Sequence, residues 1–345
     1  MFVVTLKDIA QEAGVSTATV SNVINGNHAK VSAANIKRIT ELIDKYKYIP
    51  KASARNLAAK TTNMIGVIIP SDLYGKGNPH NALLVNSLEK VIRNHGYYLL
   101  LRCSDTMESA INTLTMWDVD GAVILGYLDP DMAAVLKGSR RNFPVMLIDS
   151  YLNDEYPQCM CVRLNDYKGG YIAGRYLVSS GHRNLIFVGT SIQSSGVIIQ
   201  RFKGFSDALQ EQGVLLKENA ILDYDTTFED GIRAGKEICD MNFDRGPNDR
   251  ISAVFASSDI AAVGIIEGAN LCGISVPRDL SVIGFDNANF CMFTTPKLTT
   301  IGQDVERKAE LAATLLIEAI SGSGFHQALS VIDPELIERQ SCWPI

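Results

Sequence analysis

The sequence predicts an α/β protein that opens with a small all-helical unit. Three observations carry this reading. The first sixty residues hold three short amphipathic helical segments, each bounded by capping and stop residues. From Met64 onward, apolar runs of strand length alternate with amphipathic helical stretches. Charge divides the chain at the same place: residues 1–60 carry nine Lys and Arg against four Asp and Glu, a net +5, whereas the rest carries 23 against 34, a net −11. A basic head on an acidic body suits a polyanionic partner for the head and not for the body.

In the head, Thr5 is placed as a helix cap with Asp8 reaching back to it, and Gly14 supplies the left-handed turn that ends the helix. Ser16 caps a second helix with Val20, Val23 and Ile24 on its apolar face, ended by Asn25-Gly26. Ser32 caps a third, 33–46, with Ile36, Ile39, Leu42, Ile43 and Tyr46 on one stripe. The first two helices and the Ala13–Ser16 turn make a helix-turn-helix. Spacing alone fits any small bundle. The outward face of the second helix is more telling: Thr17, Ala18, Thr19, Ser21, Asn22 and Asn25 are short and uncharged, where a merely solvated face carries Lys and Glu. Small hydrogen-bonding groups allow close approach to base edges.

In the body, strands are expected at Ile65–Ile69, Tyr97–Leu101, Gly121–Leu125, Val145–Ile148, Leu185–Val188, Ala253–Ala256 and Leu280–Gly284, with helices such as Leu83–Asn94, Lys168–Ser179, Phe202–Gln212 and Ala261–Leu271 between them. Such alternation gives parallel sheets flanked by helices. Two sheets are expected, splitting near Cys159–Val162, with the chain recrossing near Thr294–Thr300. That is the two-lobed, periplasmic-binding-protein-like shape, with a ligand cleft outside the strand ends. The expected division falls at residue 60, with the helical head at 1–60 and the α/β body at 61–345. Within it, one lobe comprises about 61–161 and 294–327, the other about 162–290 and 328–341.

Composition narrows the classes. A 46% hydrophobic and 20% charged chain is an ordinary globular one. No apolar run approaches the roughly 20 residues that cross a bilayer, and no secretory signal pattern opens the chain, so a cytoplasmic protein is expected. Seven scattered cysteines fit reduced thiols, and Cys159-Met-Cys161 without a second pair or a nearby histidine reads as strand thiols rather than zinc ligands. The five histidines lack metal spacing, and no metal or cofactor is expected. Gly75-Lys-Gly77 continues into Pro79 and His80 where a dinucleotide fingerprint needs glycine, and there is no phosphate loop, H-E-x-x-H or G-x-S-x-G. An enzyme is therefore not expected. The rival is a solute-binding module without DNA function, which the basic helix-turn-helix head argues against.

The run from Thr5 to Gly26, Thr-Leu-Lys-Asp-Ile-Ala-Gln-Glu-Ala-Gly-Val-Ser-Thr-Ala-Thr-Val-Ser-Asn-Val-Ile-Asn-Gly, resembles the DNA-binding signature of the lactose/galactose repressor (LacI/GalR) family. Tyr48-Ile-Pro50 followed by Ala54-Arg-Asn-Leu-Ala-Ala-Lys60 resembles that family's hinge, which implies a hinge helix at about 51–59 within a DNA-binding unit at 1–60, and an effector and dimerisation unit at 61–345. In the body, Asn165-Asp-Tyr-Lys-Gly-Gly-Tyr, Gly181-His-Arg183, Arg201-Phe-Lys-Gly-Phe205, Ser281-Val-Ile-Gly-Phe-Asp-Asn287, Pro296-Lys-Leu-Thr-Thr-Ile301 and Leu336-Ile-Glu-Arg339 follow in the family's order. The resemblance implies a regulator, most simply a repressor, that binds pseudo-palindromic operator DNA as a homodimer under control of a small effector. The second helix would enter the major groove, with Thr5, Leu6 and Ser16 completing its contacts. Lys51 and Arg55 would meet phosphates, and Leu57 would wedge between base pairs at the operator centre, kinking the duplex. Asn22 stands where the family often has arginine, so the half-site preference does not transfer. Six residues follow Arg339, too few for a coiled coil, so no C-terminal tetramer is expected.

The resemblance also implies the cleft residues. Arg201 matches an arginine that forks onto ligand oxygens, and Asp286 an acceptor at a strand end. Together they suit a hydroxyl-rich ring, and the expected effector is a sugar; the alternative for the pair is an interlobe salt bridge. Asp149 matches a lining position or caps a helix. His80 stacks on the ligand or is structural, and Ser258 stands where sugar-binding relatives use asparagine. Phe228 and Tyr127 are candidates for apolar walls. Leu164 replaces a usual aspartate, and 191–199 matches poorly.

Replacing Leu57 by alanine is expected to weaken operator binding far more than binding to random DNA, because loss of the wedge removes roughly a few kcal/mol of bent-site stabilisation. Equal losses on operator and random duplexes in a salt-matched polarisation titration would contradict the wedge.

Overall fold

The computed structural model describes residues 4–49, 61–71, 79–126, 133, 143–152, 160–190, 195–246, 249–322 and 329–345. The expected hinge helix with Lys51, Arg55 and Leu57 lies outside the described residues, as does Tyr127. The chain forms two compact units, Met1–Thr62 and Asn63–Ile345. Among the described residues no helix is long and apolar enough to cross a membrane.

In the first unit, α1 (Leu6–Ala13) starts in the expected capping box: Thr5 N donates to Asp8 Oδ2 at 2.8 Å, and the Thr5 hydroxyl accepts from Asp8 N. Gly14 ends it at φ +66°. The Ser16 hydroxyl accepts from Thr19 N at 3.1 Å to start α2 (Thr17–Ile24), and Ser32 caps α3 (Ala33–Tyr46). Ile9, Ala10, Ala13, Val20, Val23, Ile39 and Leu42 form the core, with Val15 half-buried against it in the turn. Glu12 ties α1 to α3 by accepting from Lys45 Nζ at 2.8 Å and from the Tyr46 hydroxyl at 2.6 Å. Tyr46 thus closes its stripe through its hydroxyl rather than by burial.

In the second unit, the strands with long apolar runs do what fully covered parallel strands do: they bury both faces. Among the described residues there are two six-stranded sheets. The first, in the order β11 (Leu329–Ile332), β5 (Met160–Leu164), β4 (Val145–Ile148), β3 (Gly121–Leu125), β1 (Met64–Pro70), β2 (Tyr98–Ser104), is parallel throughout. The second, in the order β12 (Glu335–Ile337), β10 (Thr299–Gly302), β9 (Ser281–Asp286), β8 (Ala253–Ala256), β6 (Leu185–Val188), β7 (Ile221–Leu222), is parallel apart from β12.

Each sheet is covered on both faces. α4 (Pro79–Asn94) and α10 (Val305–Ile320) pack on one side of the first sheet and α5 (Met107–Met116) on the other. α6 (Asp166–Ser179) and α7 (Gly196–Glu211) cover one side of the second, and α8 (Phe228–Phe243) and α9 (Asp259–Leu271) the other. Both sheets reverse strand order beside their first strand, the arrangement that leaves a crevice at the strands' carboxyl ends.

The lobe boundaries differ from those the sequence suggested. β5 belongs to the first sheet, so the chain crosses after Leu164 rather than at 161–162. β10 belongs to the second, so it returns after Gly302 rather than near 294. β11 lies in the first sheet and β12 in the second, so the last crossing is at 333–334 rather than 328. The cause is physical: Met160–Leu164 and Thr299–Gly302 are short strands of mixed composition at the crossings themselves, and nothing in their residues tells which sheet pairs with them.

α6 and α7 cross with backbones in contact. A Cβ at Gly170 would overlap the Arg201 carbonyl, and one at Gly204 the Tyr167 carbonyl. Gly204→Ala is therefore expected to cost about 1–3 kcal/mol by forcing the helices apart, lowering the melting temperature by roughly 2–4 °C per kcal/mol in a unit of this size. Unchanged thermal unfolding would show that the crossing relaxes freely.

Candidate functional site

On α2, Thr17, Ala18 and Asn25 are exposed and Thr19, Ser21 and Asn22 half-buried. Ser16 and Thr19 share a hydrogen bond of 2.9 Å, and Asn25 Nδ2 donates to the Ser21 hydroxyl at 3.3 Å. The face is thus a strip of short polar groups held by local bonds. Thr5 and Leu6 stand at the start of α1, Thr5 exposed and Leu6 half-buried.

The cleft of the second unit is built at strand ends. Asp149 follows β4 and has φ +54°; Asp286 ends β9 at φ +121°, and Asn287 follows at +57°. Non-glycine residues hold such backbone angles only where their surroundings impose them. A cavity of ≈ 390 Å³ lies here, lined by His80 and Leu83 of α4, Asp286 to Phe290 after β9, Gln303 to Glu306 and Glu335.

Behind the cavity wall stand two ion pairs, one per lobe, the first buried on both sides and the second on its lysine side. Arg201 of α7 donates from Nε to Asp166 Oδ1 at 2.8 Å and from Nη1 to the Ser257 carbonyl at 2.7 Å. Its guanidinium lies 3.6 Å from the centre of the Phe285 ring, with Nη1 4.0 Å from Asp286 Oδ1. Burial opposes the Arg201 charge, but the Asp166 and Asp286 carboxylates outweigh it and raise its pKa. Asp166 Oδ2 accepts from the Tyr151 hydroxyl at 3.0 Å. In the first lobe, Lys308 Nζ is fully buried and donates to both Asp149 oxygens at 2.7 Å and to Gln303 Oε1 at 2.6 Å. Burial opposes the Asp149 charge too, but Lys308 and His80, whose Nε2 is 3.8 Å away, hold its pKa below the ordinary range. Gln303 Nε2 completes the link by donating to Asp286 Oδ1 at 2.6 Å.

Of the residues expected in the cleft, the structure brings together His80, Asp149, Arg201 and Asp286. His80 and Asp286 line the cavity; Asp149 lies behind His80, and Arg201 beside Asp286. The alternative of an interlobe salt bridge from Arg201 to Asp286 does not describe the contact, because Asp166, Arg201 and Asp286 all belong to the second lobe. Ser258 caps α9, its hydroxyl accepting from Ala261 N at 3.3 Å, and neither it nor Phe228, at the start of α8, borders the cavity. Sequence reasoning missed Asp166, Lys308 and Gln303. Lys308 had a signal: it is a charge on the stripe of Val305, Ala309, Ala312 and Leu316, where an amphipathic helix should be apolar.

A small polar face on a helix-turn-helix, carried on the same chain as a two-sheet α/β unit with a charged cleft, defines a ligand-regulated DNA-binding protein. The model for bacterial regulatory proteins of the lacI family matches residues 5–51, and that for a periplasmic binding protein-like domain matches 175–342. The HTH-type transcriptional repressor PurR of Photobacterium profundum is 30% identical over 342 residues, covering 98% of each chain. PurR of Yersinia pestis bv. Antiqua is 33% identical over 344 residues, covering 98% of this chain and 96% of that one. Among solved structures, the lac repressor dimer bound to operator and the anti-inducer ONPF gives a TM-score of 0.86 at 23% identity, over 99% of this chain and 100% of that one. A LacI family transcriptional regulator from Enterococcus faecium with bound ribose gives 0.69 at 26% identity, over 82% and 99%. The chain belongs to the LacI family of bacterial regulatory proteins. It is a DNA-binding transcriptional repressor with an effector-binding domain, and its PurR relatives are repressors rather than enzymes.

Beneath the loop that lines the cavity, Asp259 accepts from the Thr300 hydroxyl at 2.5 Å, Ala288 N at 2.7 Å and Cys291 Sγ at 3.1 Å. Burial, with the nearby Asp286 charge, pushes its carboxyl up to about 7. A carboxyl raised on folding adds stability that is full below its unfolded pKa and is lost as pH rises through its folded one. Asp259→Asn is therefore expected to gain on the parent between about pH 4 and 7, in urea melts across that range, because the Thr300 hydroxyl can turn to accept from the new amide. A difference between variant and parent that is flat with pH would rule this out.

Proposed function

We propose that this protein is a cytoplasmic, dimeric repressor whose operator affinity is set by a small hydroxyl-rich metabolite, a sugar, bound between its two lobes. Arg201 and Asp286 face the ligand from the second lobe, with His80 and Asp149 on the first. The observation that carries this reading is what the Arg201–Asp286 pair leaves over. Nε and Nη1 of Arg201 are engaged, while Nη2 has no protein partner among the described residues; Asp286 spends Oδ1 on Gln303 and Arg201 and keeps Oδ2. A rigid donor beside a carboxylate acceptor matches neighbouring hydroxyls, each of which donates and accepts. The ribose held by the E. faecium relative has this chemistry, and the lac repressor supplies the precedent for a dimer on an operator.

In this reading Thr17, Ala18, Thr19, Ser21, Asn22 and Asn25 face base edges, and two heads read a two-fold operator because half-site spacing mirrors protein symmetry. The sugar releases the repressor by binding one lobe arrangement better than the other. A coupling of about 1–3 kcal/mol changes operator affinity by roughly 5–150-fold.

The test uses the full chain, with a thermal-shift panel of sugars, nucleobases and phosphorylated metabolites, then operator titration with each hit. Arg201→Ala is a poor probe, because it strands the Asp166 charge in the interior. Asp286→Asn removes only the acceptor charge. It is expected to cost about 1.5–3 kcal/mol of effector binding, raising the effector concentration needed by roughly 10–100-fold, while operator binding without effector persists. A normal response to the sugar in that variant, or stabilisation by nucleobases alone, would refute the sugar assignment.

A further inference from the structure

α8 and α9 run side by side in the same direction, glycine against glycine. A Cβ at Gly231 would meet the backbone of Ala261 and Gly264, and one at Gly235 that of Ile265 and Gly268; the reciprocal contacts of Gly264 and Gly268 also hold. The register is therefore constant, Gly231 opposite Gly264 and Gly235 opposite Gly268. One turn further along both helices, the same offset sets Cys239 opposite Cys272. The two thiols interact side chain to side chain. Cys239 is half-buried, its Sγ donating to the Gly235 carbonyl at 3.0 Å. Cys272, the C-cap of α9, is exposed, and among the described cysteines no other is.

We propose that Cys239 and Cys272 are an oxidative modification site, forming a reversible intrachain disulfide when the protein meets a hydroperoxide. A disulfide needs Cα atoms within about 4.4–6.8 Å; the backbones touch at the two preceding turns, and the Cys239 and Cys272 side chains interact at the next. The exposed Cys272 reacts first. Its thiolate attacks a peroxide oxygen, forming an S–O bond and breaking the O–O bond, and leaves a sulfenic acid. Cys239 then attacks that sulfur; the S–S bond forms, the S–O bond breaks and water leaves. The two thiols lose two electrons and two protons, and hydrogen peroxide is reduced to two waters. The order follows from the surroundings: burial pushes the Cys239 thiol up to about 12, so it is the poorer first nucleophile. The remaining described thiols are placed differently, with Cys103 half-buried in β2 of the first lobe. Cys161 and Cys291 are buried, each bonded to an oxygen, of Ser150 and Asp259 respectively, and Cys342 bonds to the Val282 carbonyl.

The test treats the full reduced chain with hydrogen peroxide and reads intact mass, a non-reducing gel and a peptide map. The expected result is loss of the mass of two hydrogens, a band that stays monomeric, and a linked peptide pair containing Cys239 and Cys272. Dithiothreitol should reverse all three, and the oxidised form should melt higher, because the cross-link restricts the unfolded chain between the two positions. Cys272→Ser, at an exposed position, and Cys239→Ser should each abolish the linked pair. The proposal is overturned by no cross-link at all, by a disulfide joining two copies, by a mass loss that survives in Cys272→Ser, or by Cys272 passing on to sulfinic acid with Cys239 still reduced.

Discussion

The second lobe's side of the cleft is arranged around one ion pair, Arg201 with Asp166. Both groups are buried, so each has lost its water, and that loss is recovered only when geometry and extra hydrogen bonds are good. Here they are. Asp166 receives Arg201 on one oxygen and the Tyr151 hydroxyl on the other, while Arg201 is fixed further by the Ser257 carbonyl and the Phe285 ring. The pair draws together the start of α6, the middle of α7 and the ends of β8 and β9. Tyr151, in turn, comes from the first lobe. An ion pair of this kind is weak evidence for stability and stronger evidence for position: it leaves the guanidinium one orientation.

The first lobe repeats the device with Lys308 and Asp149, and Gln303 joins the two. The polar path runs from Asp149 through Lys308, Gln303 and Asp286 to Arg201 and Asp166, then back to the first lobe at Tyr151. Its links on either side of Asp286 differ in kind. Gln303 holds one carboxylate oxygen at 2.6 Å, whereas Arg201 stands 4.0 Å from it. Asp286 is thus anchored from the interlobe segment and only loosely engaged by the arginine. A ligand that takes up the Asp286 carboxylate acts at one of the path's two links between the lobes, the other being Tyr151 to Asp166.

Local rules made the head legible. Thr5, Ser16 and Ser32 cap where their side chains can reach a backbone N–H, and Gly14 turns where a left-handed angle is needed, so each element was set by its own residues. The strands at 121–125, 145–148, 185–188 and 253–256 were equally plain, because strands covered on both faces are apolar throughout. What failed was long-range. Which sheet takes Met160–Leu164 or Thr299–Gly302 depends on partners more than a hundred residues distant in some pairings, and no local pattern encodes that. In the cleft, Arg201 and Asp286 were legible through their motif. Asp166 looked like an ordinary first-turn acid, and Lys308 like one more charge on a helix. Ser258 caps α9, and a hydroxyl at a helix start has two uses, capping and ligand contact, that the sequence does not separate.

The three crossings between sheets mean that neither lobe is a continuous piece of chain. The first lobe's core includes Val305, Ala309, Ala312, Ala313 and Leu316 of α10, and its outermost strand is β11, both of which follow almost the whole of the second lobe in the sequence. Truncation after residue 164 therefore leaves a sheet stripped of one covering helix and one edge strand. The two lobes cannot be made, inherited or exchanged as modules; the smallest unit that natural recombination or an engineer can move intact is the pair.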